Sequence, residues 1–77
     1  MSRTGESPAA WLRPADEAIL DFLDGEGVEY PAIVAHRTGI HVPYVERRCA
    51  VLAERGLLER VSGEVVYRVT ERGRRHA

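Results

Sequence analysis

The sequence contains no lysine, a single cysteine and no long apolar run. Because Cys49 has no second cysteine to pair with, a disulfide within the chain is excluded and the fold must depend on side-chain packing. No segment of roughly 18 apolar residues could span a membrane, and the first ten residues lack the apolar block of a secretory signal. We therefore expect a cytoplasmic protein.

Sequence motifs for catalysis are also missing. We find no glycine-rich phosphate loop, HExxH pair or Cys-x-x-Cys, and the carboxylates show no paired arrangement suited to acid–base work. His36, His41 and Cys49 are near one another in the sequence, but their spacing fits no familiar zinc pattern, and we interpret Cys49 as a small buried apolar residue. We expect no enzyme, no metal and no cofactor.

Charge is distributed unevenly along the 77 residues, which are enough for one small domain. Residues 1–35 contain two basic and seven acidic side chains, a net charge of -5, whereas residues 36–77 contain nine basic and five acidic side chains, a net charge of +4. All eleven basic residues are arginines. Arginine suits phosphate and guanine recognition, but GC-rich coding or a salt-adapted proteome would give the same bias.

Helical periodicity occurs in three segments, each of which opens at a proline and ends near a glycine. The predicted helices cover residues 14–24, 31–38 and 43–55. The second and third helices are joined by a tight turn after Gly39, which is the arrangement of a helix-turn-helix. Residues 1–10 have no periodicity and the composition of a disordered arm, so the folded domain is expected over residues 11–77.

The period changes to two residues after Gly56, where "LLERV" and "VVYRV" flank "SGE" and predict a β-hairpin. "VEY" at residues 28–30 could supply one more short strand. Thr70 is suited to cap a last helical turn, which Gly73 weakens. The predicted core draws on all of these elements: Ile19, Phe22, Leu23, Ile33, Val45, Cys49, Leu52, Leu58, Tyr67 and Val69.

The third helix has an apolar stripe on one face and a charged side chain on the opposite face. Arg47 projects ~200° from Val45 of the stripe, whereas Tyr44 and Arg48 flank it. In a helix-turn-helix the second helix enters the major groove with its N-terminal residues at base edges. We therefore predict that Arg47 reads a base, that Tyr44 or Arg48 holds the backbone, and that His41 is placed to touch a phosphate. The ordinary alternative is a solvated face.

We predict that the hairpin makes a second contact with nucleic acid. Arg60 and Arg68 lie on its two strands and are expected to follow the DNA backbone. Glu64 stands in the loop, where an acidic side chain is unfavourable near phosphate, so base reading by this loop is not expected. Tyr67 and Val69 share one strand face and are expected to pack against the third helix.

The stretch "YVERRCAVLAERGLLERVSGEVVYRVTERG" resembles the winged-helix repressors of archaea, in which the recognition helix ends in "L..RGLL" and the hairpin closes with "Y.VT..G". Together with "WLRPADEAILDFL" upstream, it is similar to the halobacterial phage phi-H repressor family over residues 11–75. The resemblance implies an α+β winged-helix fold, with a three-helix core and a small antiparallel hairpin as the wing. It also implies sequence-specific binding of double-stranded DNA, transcriptional repression and a halophilic source that suits the absence of lysine.

The chain departs from the family pattern at Val42 and Pro43, where serine or threonine usually caps the recognition helix. Repressors of this kind usually bind symmetric half-sites, which favours a homodimer, and Trp11 and Leu12 are candidates for its surface. The competing interpretation is a winged helix that serves as a protein-interaction adaptor without reading DNA. An RNA-binding variant is a weaker alternative.

Overall fold

The computed structural model describes residues 11–61 and 63–76, so the arm predicted at residues 1–10 lies outside the described residues. The elements follow in the order α1 (Pro14–Glu26), α2 (Pro31–Thr38), α3 (Val42–Glu54), β1 (Leu58–Arg60), β2 (Tyr67–Val69) and α4 (Glu71–Arg74). Three helices followed by an antiparallel hairpin confirm the predicted α+β winged-helix fold.

The helix boundaries follow from the prolines and glycines of the sequence. Each of the first three helices has proline in its first turn, where a missing backbone N–H costs nothing. α2 ends at Gly39, which adopts the left-handed conformation with φ 77° and ψ 17° and donates its N–H to Ala35 O at 2.8 Å. α1 runs two residues past its predicted end, because Gly25 lies inside its last turn.

The hairpin pairs β1 with β2 in the register Leu58 with Val69, Glu59 with Arg68 and Arg60 with Tyr67. The strand predicted at residues 28–30 is reduced to a single bridge between Glu29 and Tyr67. Glu29 donates its N–H to Tyr67 O at 3.1 Å, and Tyr67 donates its N–H to Glu29 O at 2.9 Å. The sheet therefore has two strands, with one residue of the α1–α2 connection added at its edge.

The core lies where α1, α2, α3 and the hairpin meet. Most of the predicted core residues are buried, whereas the prediction for Ile33 is wrong, because this side chain is 40% exposed. The eight-residue α2 turns Val34 and Ala35 inward and leaves Ile33 on its outer side. Phe22 is half-buried against the core. The buried apolar residues are Ile19, Leu20, Leu23, Val34, Ala35, Val45, Cys49, Leu52, Leu57, Leu58, Val66, Tyr67 and Val69.

The short helix α4 is held against the end of the hairpin. Thr70 caps it as predicted, since its Oγ1 accepts from the Gly73 N–H at 3.0 Å and donates to Gly56 O at 2.7 Å. Gly73 is buried, and a Cβ atom there would overlap the Leu57 carbonyl oxygen and lie 2.7 Å from Val69 Cγ2. The glycine therefore weakens the helix locally but is required for its packing.

Candidate nucleic-acid interface

The N-terminal half of α3 presents Arg47 to solvent, on the side away from the buried Val45, Cys49 and Leu52. The Arg47 guanidinium lies over the half-buried ring of Tyr44, with its carbon 5.9 Å from the ring centroid. Such a cation–π contact limits the positions that a long side chain samples. The exposed Arg47 and the half-buried Tyr44 therefore form one unit in the N-terminal half of α3.

The N-cap of α3 lies at His41, one residue before the Val42 and Pro43 at which the sequence analysis placed it. His41 is the N-cap residue, it is exposed, and its side chain makes no capping hydrogen bond. Its carbonyl oxygen accepts from the N–H groups of Tyr44 and Val45 at 3.1 and 3.0 Å. Pro43 is in the first turn and has no N–H to satisfy. The imidazole of His41 is thus exposed at the positive end of the helix.

A groove of about 530 Å³ runs along the turn between α2 and α3. The exposed side chains of His36 and His41 both line it. No group of three or more histidine, cysteine or carboxylate side chains within residues 11–61 and 63–76 is arranged to hold a metal ion. The groove is completed by small and apolar residues: Ala32, Ala35, Gly39, Ile40 and Val42.

Arg48 has a different environment from the one we predicted. Its side chain is only 12% exposed, and it donates from Nε to Asp16 Oδ1 at 2.8 Å and from Nη2 to Asp16 Oδ2 at 2.7 Å. The hydrogen bond to Asp16 raises the pKa of Arg48 above its ordinary value. Because its Nε and Nη2 both bind Asp16 and little of the side chain reaches solvent, Arg48 belongs to the α1–α3 contact and is not presented as a free cation.

Asp16 is the functional candidate that the sequence analysis missed. Asp16 is fully buried, and its carboxylate also accepts from the Arg13 backbone N–H at 2.9 Å. One signal was available, because Asp16 lies on the same helix stripe as Ile19, Leu20 and Leu23. A carboxylate inside an apolar stripe requires a buried partner, and Arg48 borders the apolar stripe of α3.

The two predicted wing arginines point to opposite sides of the hairpin. Side chains alternate along a strand, so Arg60 shares a face with Leu58, while Arg68 lies on the other face beside Glu59. Arg68 Nη2 is 2.9 Å from Glu59 Oε2, and both side chains are exposed. The two arginines therefore cannot follow the same stretch of backbone in the same way.

The loop of the hairpin is tied to the body of the domain. The Tyr30 hydroxyl, at the start of α2, donates to Glu64 Oε1 at 2.6 Å. This hydrogen bond to Glu64 and the negative charge of its carboxylate raise the pKa of Tyr30. Glu64 thus orients the loop through Tyr30.

Trp11 and Leu12 pack against the domain's own core and are half-buried. The Arg55 guanidinium, just after α3, lies 4.5 Å from the Trp11 ring centroid. Trp11 does not stand free outside the first helix, because Arg55 and the core cover much of the indole. This lessens the case for Trp11 as the contact surface of a dimer.

The exposed side of α3 is electrically mixed. Arg47 is flanked by exposed Glu46, and Glu54 is exposed near the C-terminal end of the helix. Both glutamates oppose a general attraction of this face to phosphate. In residues 11–61 and 63–76, no helix is both long and apolar enough to cross a membrane.

The fold and this exposed helix define a winged helix-turn-helix domain of the DNA-binding class. The model of the winged helix-turn-helix phage repressor family matches residues 7–77, and the chain belongs to this family. None of the curated proteins compared with the chain matches it. Membership makes the chain a DNA-binding domain of regulatory type, with DNA as its partner.

Proposed function

We propose that the protein is a sequence-specific transcriptional repressor that inserts the N-terminal half of α3 into the major groove of double-stranded DNA. The observation that supports this most is the exposure of Arg47 on α3, directly after the turn of the helix-turn-helix and beside Tyr44. The second helix of this motif is the one that reaches base edges. A repressor function also agrees with the family to which the chain belongs.

In this proposal each exposed residue has a distinct role. Arg47 pairs with guanine O6 and N7, the commonest specific contact of arginine in the major groove. Tyr44 and His41 bind the phosphate backbone beside it, where hydroxyl and imidazole N–H groups are suitable donors. These contacts fix the position of the helix along the duplex, and Arg47 supplies sequence preference.

The wing contributes to backbone contact through Arg60, which is exposed at the end of β1. Arg68 lies on the opposite face of the hairpin and can contact a different phosphate by releasing Glu59, because an exposed ion pair is worth only ~0–1 kcal/mol. Arg48 is not assigned to the interface, because its Nε and Nη2 bind Asp16. This revises the set that the sequence analysis predicted.

We further propose that the protein acts in the cytoplasm as a homodimer on a two-fold symmetric operator, as helix-turn-helix repressors commonly do. The resemblance to halobacterial phage phi-H repressors supports an archaeal, halophilic source. Analytical ultracentrifugation with and without operator DNA tests the dimer. Monomers alone under both conditions would contradict it.

The deciding experiment is selection from a pool of random duplexes, followed by titration of the enriched and a scrambled duplex at several salt concentrations. We expect one enriched motif, a higher affinity for it than for the scrambled duplex, and affinity that falls as salt rises. If no motif is enriched and binding is equally weak for all duplexes, the protein-interaction adaptor becomes the better explanation. Enrichment from a parallel pool of single-stranded RNA would instead favour the RNA-binding alternative.

A further inference from the structure

The ion pair between Asp16 and Arg48 joins the first turn of α1 to the middle of α3, across 32 positions of sequence. It is bidentate, and the carboxylate is fully buried. The Arg13 backbone N–H also donates to Asp16 Oδ2, which fixes the carboxylate at the start of α1. The guanidinium on α3 is therefore bound to a group that cannot itself move freely.

A contribution to the free energy of folding does not by itself explain why such a buried pair is present. Two charges lose their hydration on burial, and replacing a buried ion pair with apolar residues of similar volume is often neutral or stabilising. The best-attested role of buried polar pairs is to select one register or orientation among several that apolar packing permits. Here the pair borders the apolar stripe of α3, whose contacts have little directional preference.

Arg48 follows Arg47 directly along α3. Adjacent residues of a helix are separated by about 100° of rotation, so a bound Arg48 sets the direction in which Arg47 leaves the helix. The planar guanidinium binds a carboxylate in a narrow range of geometries, which restricts rotation and sliding of α3 against α1. A base contact by Arg47 needs this precision, whereas attraction to phosphate does not.

We infer that Asp16 and Arg48 are positioning residues, whose buried ion pair holds α3 in the orientation that allows Arg47 to distinguish one DNA sequence from others. The inference rests on the proposed function. Neither residue touches the DNA. Their effect reaches the duplex through the rotation of α3, and so they control the ratio of specific to non-specific affinity more than the non-specific affinity itself.

The test uses the double variant Asp16→Leu, Arg48→Met, which removes one negative and one positive charge and leaves the net charge unchanged. The matched control is Asp24→Asn, Arg74→Gln, which removes the exposed ion pair between α1 and α4, also without a change in net charge. Thermal unfolding is measured first. Each protein is then titrated against the selected and the scrambled duplex over a range of salt.

We expect the buried double variant to fold, to bind the scrambled duplex like the unmodified protein with the same salt slope, and to lose specificity by about tenfold or more. The single tryptophan, Trp11, lies under Arg55 at the end of α3. If α3 changes its orientation in this variant, the fluorescence of Trp11 should change even in the absence of DNA. The surface double variant should keep its specificity within about twofold, because neither Asp24 nor Arg74 is part of the proposed interface.

If the buried double variant keeps its specificity within about twofold of that of the unmodified protein, the inference is overturned and the proposed function remains intact. A salt slope reduced by about one would also overturn it, since Arg48 would then be a phosphate contact. If the double variant does not fold, Arg48→Lys retains the charge without the planar fork, and unchanged specificity there is equally decisive. An unmodified protein without any preferred duplex would instead overturn the proposed function itself.

Discussion

Arg48 on α3 forms a bidentate ion pair with Asp16 on α1, at 2.8 and 2.7 Å, and Asp16 is fully buried. The two residues come from the acidic and the basic part of the chain, whose opposite net charges are -5 and +4. The charge asymmetry thus contributes one buried contact to the fold.

Removal of Arg48 should destabilise the fold severely. Arg48→Ala leaves the fully buried Asp16 carboxylate without its guanidinium, and breaking a buried pair in this way costs about 3–5 kcal/mol. Asp16→Ala should cost less, because the 12% exposed Arg48 side chain can turn toward water. Urea unfolding of both variants measures the difference. Equal and small losses, below about 1 kcal/mol, would show that the pair is dispensable for folding.

Removal of Arg47 should affect binding and leave the fold unchanged. Its side chain is exposed, so Arg47→Ala should change the free energy of unfolding by within about 0.5 kcal/mol. On the preferred duplex it should cost roughly 1–3 kcal/mol of binding free energy and relax the preference at one base pair. The control is Arg74→Ala, the same charge change on α4, where Arg74 pairs with Asp24 of α1. Equal losses in the two variants would indicate a charge effect only.

Two glycine-to-alanine changes should have opposite effects on stability. At Gly73 the new Cβ would meet the Leu57 carbonyl oxygen and Val69 Cγ2, so Gly73→Ala should destabilise the domain by about 1–3 kcal/mol. At Gly25, inside α1, no atom outside its immediate neighbourhood lies within 4 Å, and Gly25→Ala should stabilise by about 0.4–1 kcal/mol. Thermal melts of the two variants should therefore shift in opposite directions, and a stabilising Gly73→Ala would contradict the packing of α4.

Cys49 should make the fold sensitive to alkaline conditions. Burial raises the pKa of the Cys49 thiol from 9.0 to about 12, so the folded state favours the neutral form. Above pH 9 the unfolded chain gains stability by ionising this thiol, and the contribution to folding is lost progressively as pH rises from 9 to about 12. Unfolding free energies at several pH values, compared with Cys49→Ala, should show a steeper decline for the unmodified protein. Parallel curves would contradict a buried thiol.

Tyr30 should report the attachment of the hairpin loop. Its pKa is raised by the hydrogen bond to Glu64, so the phenol ionises above its ordinary range. Glu64→Gln removes the negative charge and should lower the pKa of Tyr30, as followed by NMR of the ring during an alkaline titration. Glu59→Gln, on the adjacent strand β1, is the control and should leave Tyr30 unchanged. No response to Glu64→Gln would show that the loop is not held by Tyr30 in solution.

Local sequence patterns were sufficient to predict the order of the elements and most of the core. Helical spacing, the prolines that open α1 to α3 and the glycine after α2 are local features, and each one acts within a few residues of the structure it predicts. The same local rules placed Arg47 opposite the buried stripe of α3. The resemblance to winged-helix repressors added the arrangement of these elements.

Contacts between distant parts of the chain determine which charged and aromatic residues of the predicted surface remain exposed, and these could not be predicted from local patterns. Arg48 and Asp16, Trp11 and Arg55, and Tyr30 and Glu64 are each joined across more than 30 positions of sequence. A periodic pattern gives the direction of a side chain on its own helix, but not the residue that the next element brings to it. Burial of a charge depends on that partner, because an unpaired carboxylate in the core would be too costly and a paired one is not.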